Sequence, residues 1–303
     1  MAVDTHTRLS PHASCCLVTL RGGGQEPPLY LVHPLGGDLA IYRPLLRHLD
    51  PRWPVIGLEA VGRRGEGPPD STIAAMAERY VAWVLARPAP RPFWLGGYSL
   101  GGLVALEMAR VLQRHGEAVA GVILLDALFR VSLPDGPGAA HYWQLRIGRP
   151  PVGPVARFVA RLLALPPEHD VVAMLRVAGH ELRRLTWQER ATYFRGLVGR
   201  VVERRSRPRG SAYDWALYRI QIAALLRYWP EPLAVPVLLL WCADDGDADG
   251  RAAVLRAWQT CLGEHLVVQG LAGTHQSMAW EPRVGGVAAA MGAFMAANPG
   301  GTL

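Results

Sequence analysis

Short apolar runs recur along the first third of the chain: LYLVH (29–33), PVIGL (54–58), FWLGGY (93–98) and VILLD (122–126). Near-continuous runs of this length suit strands buried on both faces of a sheet. Between them the apolar spacing becomes helical. In 71–86, Ile73, Met76, Ala77, Tyr80, Val81 and Val84 share one stripe, with Asp70 or Ser71 as the expected N-cap. In 100–114, Leu100, Leu103, Val104, Met108, Val111 and Leu112 do the same, and Gly116 marks the stop. Strand–helix–strand alternation predicts an α/β fold with a mostly parallel central sheet flanked by helices.

The alternation breaks after about residue 130. Helix-like segments at 153–164, 186–203 and 211–228 are separated by Pro/Gly-rich pieces, and no buried strand pattern intervenes. Strand-like runs return at 235–241 and 265–269, followed by a helical pattern over 283–296. The expected organisation is an N-terminal segment with an entering strand (1–27), a first core part (28–130), a helical insertion (131–232) and a second core part (233–303). An insertion of that size is expected to act as a lid over a site.

Composition narrows the class. At 303 residues, half of them hydrophobic, the chain can bury a sizeable core. It has no apolar run of the ~18 residues needed to cross a bilayer, and its first residues lack the layout of a signal peptide. A soluble, cytoplasmic protein with no membrane partner is expected. Cys15, Cys16, Cys242 and Cys261 show neither a disulfide framework nor zinc spacing, so no metal is expected. The run DGDADG (245–250) imitates the first half of a calcium loop, but its twelfth position is Arg256, and a solvated acidic loop is the better expectation.

All 32 basic residues are arginine, the signature of a GC-rich coding sequence, and the net charge is +7. Residues 130–230 hold 17 arginines against 7 acids, which suits an acidic partner. No helix-turn-helix, zinc-finger or RNA-binding signature accompanies that charge, so nucleic acid is not expected.

The chemistry-bearing stretch is Gly97-Tyr98-Ser99-Leu100-Gly101, which lies after a strand pattern and opens a helix pattern. A G-x-S-x-G in that context is a nucleophile elbow: a turn so tight that its flanking positions must lack side chains, with the serine hydroxyl raised at its tip. Glycine inside an element costs roughly 0.5–1 kcal/mol, so four of them within seven residues need such a reason. The N–H of Leu100 at the helix start is one expected oxyanion donor, and the N–H of Leu35 in HPLGG (33–37) the other. His275, in a short glycine-containing loop after the last strand pattern, is the expected base. His265 sits at the wrong end of that strand, His115, His169 and His180 read as surface residues, and His33 as structural. For the acid, Asp126 and the pair Asp244/Asp245 end two different strands at the same sheet edge, and topology leaves them open.

These pieces together resemble the thioesterase domains that end nonribosomal peptide synthetases and polyketide synthases. The similar stretches are LVTLRGGGQEPPLYLVHPLGG, VIGLEAVGRRGEG, MAERYVAWV, PFWLGGYSLGGLVALEMARVLQRHGEAVAGVILLDA and GTHQSM. The resemblance implies an α/β-hydrolase fold with the acid at the end of the strand after the nucleophile helix, hence a triad of Ser99, Asp126 and His275. It also implies no bound cofactor, a thioester delivered on the phosphopantetheine of an acyl or peptidyl carrier protein, and release by hydrolysis or cyclisation. Tyr142, Trp143, Trp215, Tyr218 and Trp229 are candidates to line an acyl cavity. Such domains usually end a giant synthase, whereas this chain begins with Met1 and has no carrier-protein sequence. An excised domain and a free-standing enzyme that clears stalled carriers both fit that, and a small-molecule esterase of the same fold is a further alternative.

Overall fold

The apolar runs pair into one seven-stranded sheet of order β1-β3-β2-β4-β5-β6-β7. Its strands are β1 (Leu17–Arg21), β2 (Leu29–Val32), β3 (Val55–Leu58), β4 (Phe93–Tyr98), β5 (Val119–Leu125), β6 (Val237–Cys242) and β7 (Leu266–Leu271). Four longer helices accompany them: α1 (Ile73–Leu85), α2 (Leu100–Arg114), α3 (Ala248–Leu262) and α4 (Val284–Ala297). This is a computed structural model, and it describes residues 16–63, 67–127, 217–242 except 219, 222 and 226, 248–275 and 277–299. The chain divides into two compact units, Met1–Arg130 with Arg209–Leu303, and Val131–Pro208. Residues 209–232, expected within the insertion, therefore group with the core unit, and the second unit lies outside the described residues.

Every pairing is parallel except that of β1 with β3 at the sheet edge. β4, β5 and β6 are buried along their whole length, which is why their sequences read as unbroken apolar runs. Alternation still sorts their side chains between two faces. Trp94, Tyr98, Ile123, Leu125, Leu238 and Leu240 share one core layer with Val284, Val287, Met291 and Phe294 of α4. Leu124 points the other way, toward α2 at Gly102. The sheet is thus sandwiched between helices, and the carboxyl ends of its parallel strands gather at one edge.

Two local expectations are corrected. The acidic run 245–250 is not all loop: residues 248–250 open α3, which continues through Arg256. The N-cap of α1 is Thr72, one residue beyond the expected Asp70 or Ser71. Its backbone is extended (φ −138°, ψ 154°) and its side chain accepts from Ala75 N at 3.1 Å. The Asp70 carboxylate is instead taken up by Arg79, at 2.8 Å. Replacing Thr72 by alanine should therefore cost ~1 kcal/mol in chemical denaturation. Ser71→Ala should stay within ~0.5 kcal/mol; the reverse ranking would return the cap to Ser71.

Candidate active site

Ser99 follows β4 and immediately precedes α2, with φ 57° and ψ −120°. This backbone region is nearly closed to side chains other than glycine and stores about 1–3 kcal/mol. The surroundings enforce it. A Cβ on Gly97 would lie 2.2 Å from the Gly101 carbonyl carbon, and one on Gly101 would lie 2.3 Å from Val32 O. The hydroxyl makes no capping hydrogen bond to its own helix, although serine at that position normally does so. Leu100 supplies the first N–H of α2, where helix donors lack intrahelical partners.

The other positive-φ residue outside glycine, among those described, is Asp126 (φ 47°), directly after β5. The two strained residues end neighbouring strands: Ser99 N donates to Leu125 O at 2.9 Å, and Asp126 N to Leu240 O at 2.8 Å. The Asp126 carboxylate is 2% exposed. Its Oδ1 accepts from the backbone N–H of Cys242 at 3.2 Å, and its Oδ2 lies 2.6 Å from His275 Nδ1. The next residue, Ala127, is tied down by Trp258 of α3, whose indole N–H donates to its carbonyl at 3.2 Å. Asp244 and Asp245, the competing acids, lie outside the described residues.

His275 is carried by a knotted loop. Thr274 N donates to Ser277 Oγ at 2.8 Å, and the N–H groups of Ser277 and Met278 both return to Thr274 O, at 3.0 and 3.1 Å. Tyr98 holds the imidazole from the side: its ring stacks on that of His275, centroids 4.5 Å apart at 24°, and its hydroxyl donates to the His275 carbonyl. Tyr98 is in turn held by Tyr42, whose hydroxyl accepts from Tyr98 N at 2.9 Å and donates to Val32 O at 2.5 Å. That hydroxyl bridges β2 and β4 where their own ladder ends, at Val32 and Gly97.

Leu35 lies in a turn closed by Gly37 N donating to Pro34 O at 3.0 Å. Gly36 and Gly37 have φ of 93° and 82°, a backbone that glycine adopts without strain. His33 is fully buried between Pro34 O and the Tyr80 hydroxyl, each 2.8 Å from a ring nitrogen. Burial lowers its pKa to about 4, so the neutral ring donates from Nδ1 to Pro34 O and accepts at Nε2 from Tyr80. Gly36 N donates to the side-chain oxygen of Gln221 at 2.8 Å.

The structure thus joins Asp126 to His275 and sets Ser99 one strand away. Leu100 follows Ser99, and Leu35 lies in the loop after β2. Sequence reasoning missed Tyr98, Tyr42 and Gln221 as supports. Tyr98 stood inside the motif, whereas Gln221 reaches Gly36 across 185 residues of sequence with no local signal. Of the aromatics named for an acyl cavity, Tyr142, Trp143 and Trp215 lie outside the described residues, and Trp229 is 49% exposed. Among the described residues no cluster of His, Cys, Asp and Glu has metal-site geometry, and no helix is long and apolar enough to cross a membrane.

Residues 27–145 match the thioesterase-domain family. The dimodular nonribosomal peptide synthase of Bacillus subtilis (strain 168) is 38% identical over 120 residues, which is 39% of this chain and 5% of that protein. Enterobactin synthase component F of Escherichia coli (strain K12) is 35% identical over 103 residues, 34% of this chain and 8% of the other. The chain therefore spans a small fraction of these curated relatives. Among solved structures, the NocB thioesterase domain, in covalent complex with a fluorophosphonate nocardicin G analog, is 26% identical with a TM-score of 0.57, covering 92% of this chain and 99% of that one. A Vlm2 thioesterase domain bound with a dodecadepsipeptide has a TM-score of 0.61 at 21% identity, over 93% and 98% of the two chains. The fold is that of an α/β-hydrolase, and the similarity runs to nonribosomal peptide synthetases and to solved thioesterase domains.

The buried His33 gives a pH test. Unfolded, the ring takes up a proton near its ordinary pKa of 6.5; folded, only near 4. The stability this provides is complete above pH 6.5 and is lost as pH falls to about 4, on the order of 3 kcal/mol in all. In urea titrations, the wild type should lose that much more than His33→Gln between pH 7 and 4. Parallel losses would mean that the ring is not held neutral.

Proposed function

We propose that the chain is a serine thioesterase that receives an acyl or peptidyl chain from the phosphopantetheine thioester of a carrier protein and releases it. The observation that carries this reading is the buried Asp126–His275 pair, 2.6 Å apart, one strand away from a serine raised on a strained turn. The kinship to nonribosomal peptide synthetase domains supplies the substrate class. The arginine surplus of 130–230 suits an acidic carrier protein.

In this mechanism Asp126 accepts a hydrogen bond from the Nδ1–H of His275, which fixes the tautomer and leaves Nε2 with a lone pair for the serine proton. Ser99 Oγ attacks the thioester carbonyl as its proton passes to Nε2. The oxyanion that forms is met by the N–H groups of Leu35 and Leu100, donors fixed before the charge develops. The carbon–sulfur bond then breaks, and the imidazolium returns its proton to the departing thiolate. The acyl-Ser99 ester next yields to water, giving an acid, or to an amine or hydroxyl of the chain itself, giving a ring. His275 again takes the proton of the incoming nucleophile and passes it to Ser99 Oγ as the ester bond breaks, so the resting enzyme is restored. Asp126 stabilises the imidazolium in both halves without becoming protonated.

Intact mass spectrometry with acyl N-acetylcysteamine thioesters tests the reading. The wild type should gain the mass of the acyl group and lose it again as free acid, lactone or lactam, while Ser99→Ala gains nothing. A wild type that stays unmodified and inactive across several chain lengths would count against the serine ester. For the acid, Asp126→Asn should lower kcat by about 10³–10⁴-fold. Asp244→Asn and Asp245→Asn should stay near wild type, and the opposite ranking would move the acid to the segment after β6.

A further inference from the structure

We propose that Gln221 is a positioning residue for the oxyanion loop, holding the turn that carries the Leu35 N–H through its bond to Gly36. This rests on the thioesterase reading above, in which that N–H meets the developing charge.

Two peptide planes set the direction of the Leu35 N–H. Pro34 C=O and Leu35 N–H belong to one rigid trans unit, so the N–H points opposite to the carbonyl. That carbonyl receives two donors, His33 Nδ1–H at 2.8 Å and Gly37 N–H at 3.0 Å. The next plane joins Leu35 C=O to Gly36 N–H, and its N–H goes to Gln221 Oε1 at 2.8 Å. The planes meet at the Leu35 Cα, so holding both fixes the backbone on either side of that residue.

Gln221 also selects between two turns. With Pro34 as first residue and Gly36 at φ 93°, the turn has the type II arrangement, which needs a positive φ at its third residue. Rotating the central peptide would give type I with the same closing bond, and glycine at 36 permits both. The closing bond therefore cannot choose. The Gln221 oxygen can, because it is met by the Gly36 N–H only in the arrangement observed.

Two further observations separate this from ordinary packing. Leu217, four positions earlier on the same helical segment, lies against Gly37, where an added Cβ would meet it at 3.2 Å. One helix face thus covers both glycines of the loop. Gln221 itself is fully buried, and its Nε2 has no hydrogen-bond partner among the described residues. An apolar side chain of similar size would avoid burying that amide. What it could not do is accept from Gly36.

The test uses the full chain and two readouts of the serine: the rate of labelling by a fluorophosphonate probe, and kcat and KM for an acyl N-acetylcysteamine thioester. Gln221→Met keeps length and burial but removes the acceptor. Gln221→Asn keeps an amide one methylene too short to reach, and carries the test if the methionine variant does not fold. Both should lower the labelling rate and kcat by about 10-fold, with KM changed less than about 2-fold and melting temperature nearly unchanged. Gln221→Glu, which restores an acceptor of full length, should recover most of the rate. A wild type that labels at Ser99 alongside removal variants of equal rate and kcat would overturn this inference alone. Loss that tracks melting temperature, with no recovery in Gln221→Glu, would overturn it too. A wild type that does not label at Ser99 would overturn the serine reading and this inference with it.

Discussion

Where β4 turns into α2, two stretches of backbone occupy a space that admits no side chain. Gly97 faces the carbonyl carbon of Gly101, and Gly101 faces the carbonyl oxygen of Val32, each at a separation closer than any real Cβ could tolerate. Only that approach lets the first turn of α2 sit against the end of β2 while β4 stays paired on both sides. The serine between the glycines absorbs the cost as a φ that its own side chain disfavours. The rigidity needed to maintain it comes from β4 and β5, buried along their whole length.

The rest of the site inherits its geometry from this crossing. Val32 delivers the chain to the His33–Gly37 loop, and its carbonyl receives the Tyr42 hydroxyl that also holds Tyr98. Tyr98 carries the constraint onward to His275 through ring stacking and a hydrogen bond to that residue's carbonyl. Asp126, on the adjacent strand end, meets the imidazole from another direction, with Cys242 N keeping its second oxygen engaged. Ser99, Asp126 and His275 are thus each held by at least one neighbour outside the three, as a preorganised site requires.

Much of this was legible in the sequence, for definite physical reasons. Buried parallel strands must be apolar throughout, so β2, β3, β4, β5 and β6 announced themselves, and the elbow's glycines marked the serine. The acid was less legible, because β5 and β6 end at the same sheet edge, so the residues alone left Asp126 and the pair Asp244/Asp245 open; the resemblance pointed to Asp126, which the fold pairs with His275. The N-cap of α1 was misread because Asp70, a good capping residue, is drawn away by Arg79. The start of α3 was misread because acidic residues and glycine look alike in a loop and in a first helical turn. Gln221 was invisible: a polar residue in a helical pattern reads as solvent-facing until the fold buries it against Gly36.

The pairing of Asp126 with Cys242 and His275 also sets an order in time. A chain made from its amino end releases the elbow first, then Asp126, and completes β6 and the 275 loop more than a hundred residues later. Until β6 and the 275 loop are in place, the carboxylate lacks both the Cys242 N–H that orients it and the imidazole that it pairs with. Residues 27–145, which match the thioesterase-domain family, hold Ser99 and Asp126 but neither Cys242 nor His275. A nascent chain thus carries Ser99 and Asp126 well before either of the groups that Asp126 engages, and the cluster closes only with the last strands.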